Sequence, residues 1–487
     1  MYRRLIETRK RNPSIGVSKV KRSHRLFRRF RVSAILVLAV PFPFGQPVAG
    51  QTGSPAGPVP VERLAARRAA VIAKLDSGLA VLRSGTQRSI EGEYPQDSDY
   101  REKNDFFYLT GVEEPDAWLV LDARAAAGAQ ARLYLQPRDP RTEQWTGVRL
   151  GPGREAAALS GVSDVRSAEA AEAEIGALVR QAAAASRPVF AEYGSAGSAA
   201  CRGAVKRGRG CAPALDAVGT DASLASQPVE RITAALRVVK DEEEVRRLRR
   251  TIEITTEAHQ AAAAAIRPGM YEYELEAEIE YTFRKNGAER VGFPSIIGSG
   301  PNSTTLHYDR NRRRMDAGDL VVIDIGAEWG YYSADVTRTL PVSGRYTDRQ
   351  RAIYGLVLGA QQAALDLVKP GATIAELTRA ARAYIDANSG GLCGGDSCNR
   401  YFVHGLSHWL GMDVHDVGEY AVPLQPGMVF TIEPGIYIPD EQLGVRIEDD
   451  VLVTATGYEL LSAGAPRTTA DVEKLIAESR ARRVTQD

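Results

Sequence analysis

Histidine, cysteine and net charge are all scarce in this chain, and each shortage narrows what it can do. Six histidines occur in 487 residues, and none lies between Val61 and Arg237. Imidazole chemistry therefore belongs to the C-terminal half. With 62 basic residues against 61 acidic ones there is no charge surplus, which argues against a dedicated nucleic-acid binder, whose mark is a clustered basic surface. The leader's apolar run VSAILVLAV (32–40) falls short of the roughly 20 residues that span a bilayer, and Pro41 and Pro43 follow it, so no permanent membrane span is expected. Several catalytic signatures are missing too. Gly405 after His404 rules out H-E-x-x-H, Trp409 stands where a G-x-S-x-G elbow needs glycine, and GGLCGG (390–395) is not a dinucleotide fingerprint.

The one dense basic cluster comes first. Twelve arginines and lysines between Arg3 and Arg31 precede the apolar run, and small residues at Val48, Ala49 and Gly50 offer a cleavage site before Gln51. Residues 1–50 thus read as a signal peptide, with export to a periplasmic or extracellular space; a non-functional leader would leave the protein in the cytoplasm. Cysteine usage fits an oxidising compartment. Cys201 and Cys211 are ten apart, Cys393 and Cys398 five apart, neither with C-x-x-C spacing, and each pair can close a local disulfide.

A chain of this length exceeds one hydrophobic core. Residues 55–238 alternate short apolar runs, AWLVL (117–121) and ARLYL (131–135), with helical stretches such as RRAAVIAKL and the Ala-rich 168–185, which predicts an α/β domain. The Gly/Ser/Ala-rich stretch 194–226 reads as a surface insertion. Near residue 239 the pattern changes to a long helix beginning DEEEV and ended by Pro268-Gly269; a second helix follows, and then strands dominate. Residues 239–487 form the expected second domain.

That second half carries the chemistry. Asp324, Asp335, Glu433 and Glu448 sit in apolar, strand-like stretches with His408. A single acid is ordinarily a solvated surface group, but four in one interior need cations, and two divalent ions balance four carboxylates. A hairpin turning at Trp329-Gly330 would set Asp324 directly opposite Asp335, where unshielded repulsion would force one to protonate. A similar hairpin with Pro439-Asp440-Glu441 at its turn would bring Glu433 to Glu448.

The ordered set of ligands, with HGLSHWLGMDVHDVG (404–418), EPGIY (433–437) and VRIEDD (445–450) around it, resembles the pita-bread metallopeptidases, and within them the aminopeptidase P family. YREKNDFFYLTGVEEPDAWLVL (100–121) is similar to that family's N-terminal domain. The resemblance implies an α+β fold, a C-terminal pita-bread catalytic domain preceded by an α/β creatinase-like one. It implies hydrolysis of the bond between an N-terminal residue and a following proline by a hydroxide bridging two divalent ions. Asp324 would bind one ion and His408 the other, with Asp335 and Glu448 shared and Glu433 both ligand and general base. His307 would steady the tetrahedral species, while His404, His415 and Arg446 would shape the proline side; Trp145 matches a position that can border the substrate entrance. Oxygen-rich ligation with one imidazole suits manganese, with cobalt, zinc or iron as competitors. The expected partners are peptides with proline second; a homo-oligomer is allowed. Prolidase, which shares the site but takes only dipeptides, and a peptide-binding pseudoenzyme are the alternatives, and creatinase, which dispenses with the metal site, is disfavoured. The Gly/Cys loop between Ala387 and Tyr401 and the short AVPLQPGM segment depart from the family pattern, leaving substrate length open.

Overall fold

The computed structural model describes residues 54–87, 100–192 and 226–484. The leader, Cys201 and Cys211 lie outside them. Thr52–Asp487 forms one compact unit.

The N-terminal half is built on a six-stranded mixed sheet. In chain order its elements are α1 (Val61–Lys74), β1 (Leu79–Arg83), α2 (Asn104–Thr110), β2 (Trp118–Asp122), β3 (Ala131–Leu135), α3 (Pro140–Thr146), α4 (Arg154–Ser160), β4 (Asp164–Ser167), α5 (Ala171–Ala184), β5 (Val189–Ala191), β6 (Ser226–Pro228) and α6 (Glu230–Arg237). The strand order is β4-β3-β2-β1-β5-β6. Strand β1 is apolar on both faces because both are covered. Leu79 and Val81 pack with Ile175 and Val179 of α5, whereas Ala80 and Leu82 join Leu64 and Val71 of α1. The second of these cores continues into the C-terminal half through Leu248, Tyr331, Leu410 and Val429.

In the C-terminal half α7 (Glu242–Ala265) and α8 (Glu272–Lys285) precede β7 (Arg290–Val291), β8 (Ile296–Ser299), β9 (Leu320–Ile325), β10 (Ala327–Trp329), β11 (Tyr332–Ser333) and β12 (Val336–Pro341). Helices α9 (Asp348–Leu365) and α10 (Ile374–Asn388) come next, then β13 (Val429–Ile432), β14 (Gly435–Ile438), β15 (Leu443–Arg446), β16 (Asp449–Val453), β17 (Tyr458–Leu460) and α11 (Thr469–Val484). The fold is α+β, as expected. Helix α7 starts at a capping box, in which Asp241 accepts from the backbone N–H of Glu243 and Glu244 while Glu244 reaches back to Asp241 N. It then runs along the β9–β12 hairpin. Thr255 accepts from Ala327 N, Thr251 donates to Tyr332 O, and His259 Nε2 lies 2.9 Å from Val336 O.

Two hairpins place the acids. In the second, pairs Ile432–Asp449 and Gly435–Arg446 put Glu433 opposite Glu448, with the turn at Pro439–Glu441 as expected. The first corrects the sequence reading. Its turn falls at Gly330-Tyr331, one residue later than Trp329-Gly330, and Asp324 pairs with Thr337 rather than with Asp335. Both turn residues have positive φ, 59° and 73°, the type I′ geometry that matches strand twist. Gly330 is required there, since a Cβ would come within 2.6 Å of Ala56 and Arg247. Tyr331 tolerates its φ because the N-terminal half holds it. Its ring stacks on Phe107 at 3.6 Å, and its hydroxyl accepts from Glu102 N at 3.0 Å. The shift leaves Asp335 a diagonal neighbour of Asp324 across the hairpin.

Candidate active site

Asp324, Asp335, His408, Glu433 and Glu448 all line one cavity of about 470 Å³, together with His307, His404, His415 and Arg446. An apolar wall of Phe293, Pro294, Ile296, Leu306 and Val414 completes it. Trp145 is not part of this lining; it stands 90 % exposed on α3.

The centre is a group of three. Ligand atoms of Asp335, His408 and Glu448, all buried, lie within 4.8 Å of one another. His408 Nδ1 sits 3.2 Å from the Trp409 carbonyl, so a proton there donates to that carbonyl and leaves the Nε2 lone pair facing the acids. From Nε2 the distances are 3.3 Å to Asp335, 3.6 Å to Glu433 and 3.8 Å to Glu448. Asp324 and Glu433 face the same cavity without joining the 4.8 Å group, and Asp324 Oδ2 accepts from Arg446 Nη2 at 2.6 Å.

The electrostatics identify what is wanted here. One oxygen each of Asp324, Asp335 and Glu448 is buried without a hydrogen-bond partner, a cost that folded proteins rarely carry unless a ligand meets it. Burial, reinforced by Asp324 and other nearby carboxylates, raises Asp335 well above the usual range; burial and Asp335 do the same to Glu448. Burial also pushes Glu433 up to about 7, against the pull of His408 and Arg446. Such a set is stable as anions only around cations, and acids that carry three orphaned oxygens in one cavity with a free imidazole lone pair fit hard or borderline divalent ions.

Around this centre the polar groups are chained. Arg446 Nη1 donates to Tyr437 at 2.9 Å, and the Tyr437 hydroxyl lies 2.9 Å from His404 Nε2. His404 Nδ1 is 2.7 Å from Gly405 O, so a proton on Nδ1 leaves Nε2 to accept from the tyrosine. Burial, helped by Arg446, lowers His404 to about 4 and keeps it neutral. His415 packs edge-on against His408 with centroids 4.3 Å apart, and burial followed by His408 lowers its pKa.

Four contributors escaped the sequence reading. Thr337 donates to Glu448 at 2.6 Å, Asp450 accepts from the Asp335 backbone, Tyr437 links His404 to Arg446, and Asp416 lies buried behind His415. Tyr437 and Asp450 stood inside the quoted EPGIY and VRIEDD motifs. Strand alternation alone could have raised Tyr437, which lies two residues from Gly435, the partner of Arg446. The loop between α10 and the site carries the expected Cys393–Cys398 disulfide.

An α+β fold whose buried carboxylates and one imidazole converge beneath an apolar cleft defines a metallohydrolase class of site. Comparison with known proteins specifies it. Residues 246–455 match the model of metallopeptidase family M24, and residues 64–186 match the aminopeptidase P N-terminal domain. The chain is 38 % identical over 442 residues to the Xaa-Pro aminopeptidase of Escherichia coli (strain K12), covering 85 % of this chain and 97 % of the relative. Among solved structures, Pseudomonas aeruginosa aminopeptidase PepP superposes with a TM-score of 0.77 at 34 % identity, covering 87 % of this chain and 99 % of that one. E. coli aminopeptidase P with the inhibitor Pro-Leu gives 0.76 at 32 %, covering 87 % and 100 %. The chain belongs to metallopeptidase family M24.

Proposed function

We propose that this protein is a binuclear Xaa-Pro aminopeptidase, with residues 239–487 as its catalytic domain and 55–238 as an accessory one. The observation that carries the reading is the buried group of Asp335, His408 and Glu448, in one cavity with Asp324 and with one unpartnered carboxylate oxygen on each of these three acids, supported by the similarity to Xaa-Pro aminopeptidases. Asp324, Asp335, His408, Glu433 and Glu448 would hold two divalent ions, and the oxygen-rich set favours manganese. When bound, these supply an acidified water and an electrophilic hold on the scissile carbonyl.

The remaining steps belong to side chains of this chain. Glu433, poised near neutrality, accepts the proton of the attacking water and passes it to the departing proline nitrogen. His307 donates to the oxygen on which charge develops. His404, held neutral, and His415 orient the proline side, and Arg446 is kept in place by Tyr437 and Asp324. The apolar wall receives side chains and excludes water. An Xaa-Pro bond is a tertiary amide, which general peptidases accept poorly, so a shaped pocket rather than a stronger nucleophile is what the reaction asks for.

A panel of Xaa-Pro dipeptides, Xaa-Pro-Yaa tripeptides and Xaa-Ala-Yaa controls tests this. Tripeptides should be cleaved at least as well as dipeptides, with release of the first residue only. A dipeptide preference above about 100-fold in kcat/KM, roughly 2.7 kcal/mol of transition-state discrimination, would make prolidase the better description.

A further inference from the structure

His415 enters the cavity from the segment Trp409–Asp416, and among the described residues its ring makes no hydrogen bond; it only leans edge-on against His408. Its position is therefore set by the backbone around it. The next residue, Asp416, points away from the cavity into the protein, its side chain 1 % exposed. One carboxylate oxygen accepts from Arg237 Nη2 and the other from Lys240 Nζ at 3.1 Å. Its own N–H donates to Trp409 O at 2.9 Å and closes the segment into a loop. Gly411 lies under this carboxylate, where a Cβ would fall 2.0 Å from Asp416 Oδ2 and 3.0 Å from Lys240 Nζ. Burial alone would raise the Asp416 carboxyl, but Lys240 and Arg237 outweigh it and hold the group ionised.

The clamp does not end there. Arg237 closes α6, and its other arm donates to Asp105 Oδ1 at 2.7 Å. Asp105 stands in the first turn of α2, where Thr233 donates to its second oxygen at 2.6 Å. A chain of charges thus runs from half-buried Asp105 in the N-terminal half, through buried Arg237, to the buried residue beside His415. Buried ion pairs contribute little net stability, but paired donors on one carboxylate fix its orientation closely.

We propose that Asp416 is a positioning residue that fixes His415 in the cavity, and that Asp105, acting through Arg237, makes the N-terminal half part of that clamp. The proposal rests on the aminopeptidase reading for the role of His415, yet its first readout needs no catalysis. In full-length, zinc-loaded protein carrying 13C-labelled histidine, where the diamagnetic ion leaves ring signals unbroadened, the His415 Cε1–H signal is assigned by its loss in His415→Ala. Asp105→Asn should move that signal while leaving His259 in place, and Asp416→Asn should move it further. In turnover of an Xaa-Pro-Yaa tripeptide, Asp416→Asn should lower kcat/KM by about 10- to 100-fold, chiefly through KM, since small misplacements of orienting groups have effects of that order. Metal content should be unchanged. In the His415→Ala background the same substitution should cost less than about twofold, because the two changes share one pathway. An unmoved His415 signal in Asp105→Asn, or losses that simply add, would overturn the clamp. Should Asp416→Asn fail to fold, Asp105→Asn decides alone. A wild-type protein inactive on Xaa-Pro peptides would count against the function, while the histidine signal would still decide the clamp.

Discussion

In the proposed mechanism Glu433 combines two demands that ordinarily conflict, since it would face cations as an anion and yet exchange a proton near neutral pH. Its carboxyl is pushed up to about 7 by burial, with His408 and Arg446 pulling the other way. Glu433→Gln removes the exchangeable proton site at almost constant volume. Turnover should fall by about 10²–10⁴-fold, the span of general acid–base catalysis, with the circular dichroism spectrum unchanged; turnover within threefold of wild type would remove Glu433 from the chemistry. The same residues set a pH dependence on metal binding. Asp335, Glu448 and Glu433 have raised pKa values in the metal-free fold. Their protonated forms therefore support that fold at pH below the unfolded carboxyl range near 4, and the support is lost as pH rises, completely for Glu433 above about 7. His404 and His259 act in the opposite sense. Lowered to about 4 and about 3, they contribute stability above about 6.5 that is lost as pH falls. Cations replace the protons on the acids, so the rise in Tm given by saturating manganese should be larger at pH 8 than at pH 6. A gain that shrinks with rising pH would mean that these acids are not the ligands.

At the scale of elements, the two hairpins show what local sequence reveals and what it hides. Strand period and the Pro439-Asp440-Glu441 turn were enough to set Glu433 against Glu448, because proline and the acids mark the turn in the sequence and the strands on either side fix the register. The β9–β12 hairpin was misread because its turn is settled elsewhere. Tyr331 takes a positive φ only while Phe107 and Glu102, more than 200 residues away in the chain, hold its ring and hydroxyl. No pattern within 321–339 carries that information. The buried charges Asp416 and Lys240 were hidden for the same reason, each resembling an ordinary solvated residue until its partners are known. Gly330→Ala tests the hairpin. With Ala56 and Arg247 inside the space of the new methyl group, and a positive φ to maintain, urea unfolding should show a loss of about 1–3 kcal/mol. No loss would mean that the turn shifts back toward Trp329-Gly330 at little cost.

Over the whole molecule, no described residue of the N-terminal half lines the cavity, yet that half touches the site's supports through the Tyr331 stack, the Arg237 clamp and Arg101, which donates to Glu328 in the hairpin and to Met412 O in the loop before His415. The two halves share a core, and α2, the segment before it and α6 brace the hairpin and loop that present Asp324, Asp335 and His415. The five candidate ligands were legible from the sequence because four acids in apolar strands can stay ionised only around cations; their supports were not, because braces are ordinary residues in long-range contact. Metal dependence of Xaa-Pro cleavage is the most direct measurement of what this molecule is for. Protein freed of metal by chelation and dialysis is titrated with manganese while release of the first residue from an Xaa-Pro-Yaa tripeptide is followed, with bound metal measured at each point. Activity should be absent at the start and rise with occupancy to a plateau at about two equivalents, as expected for a paired-ion site. Full turnover in metal-free protein would contradict it.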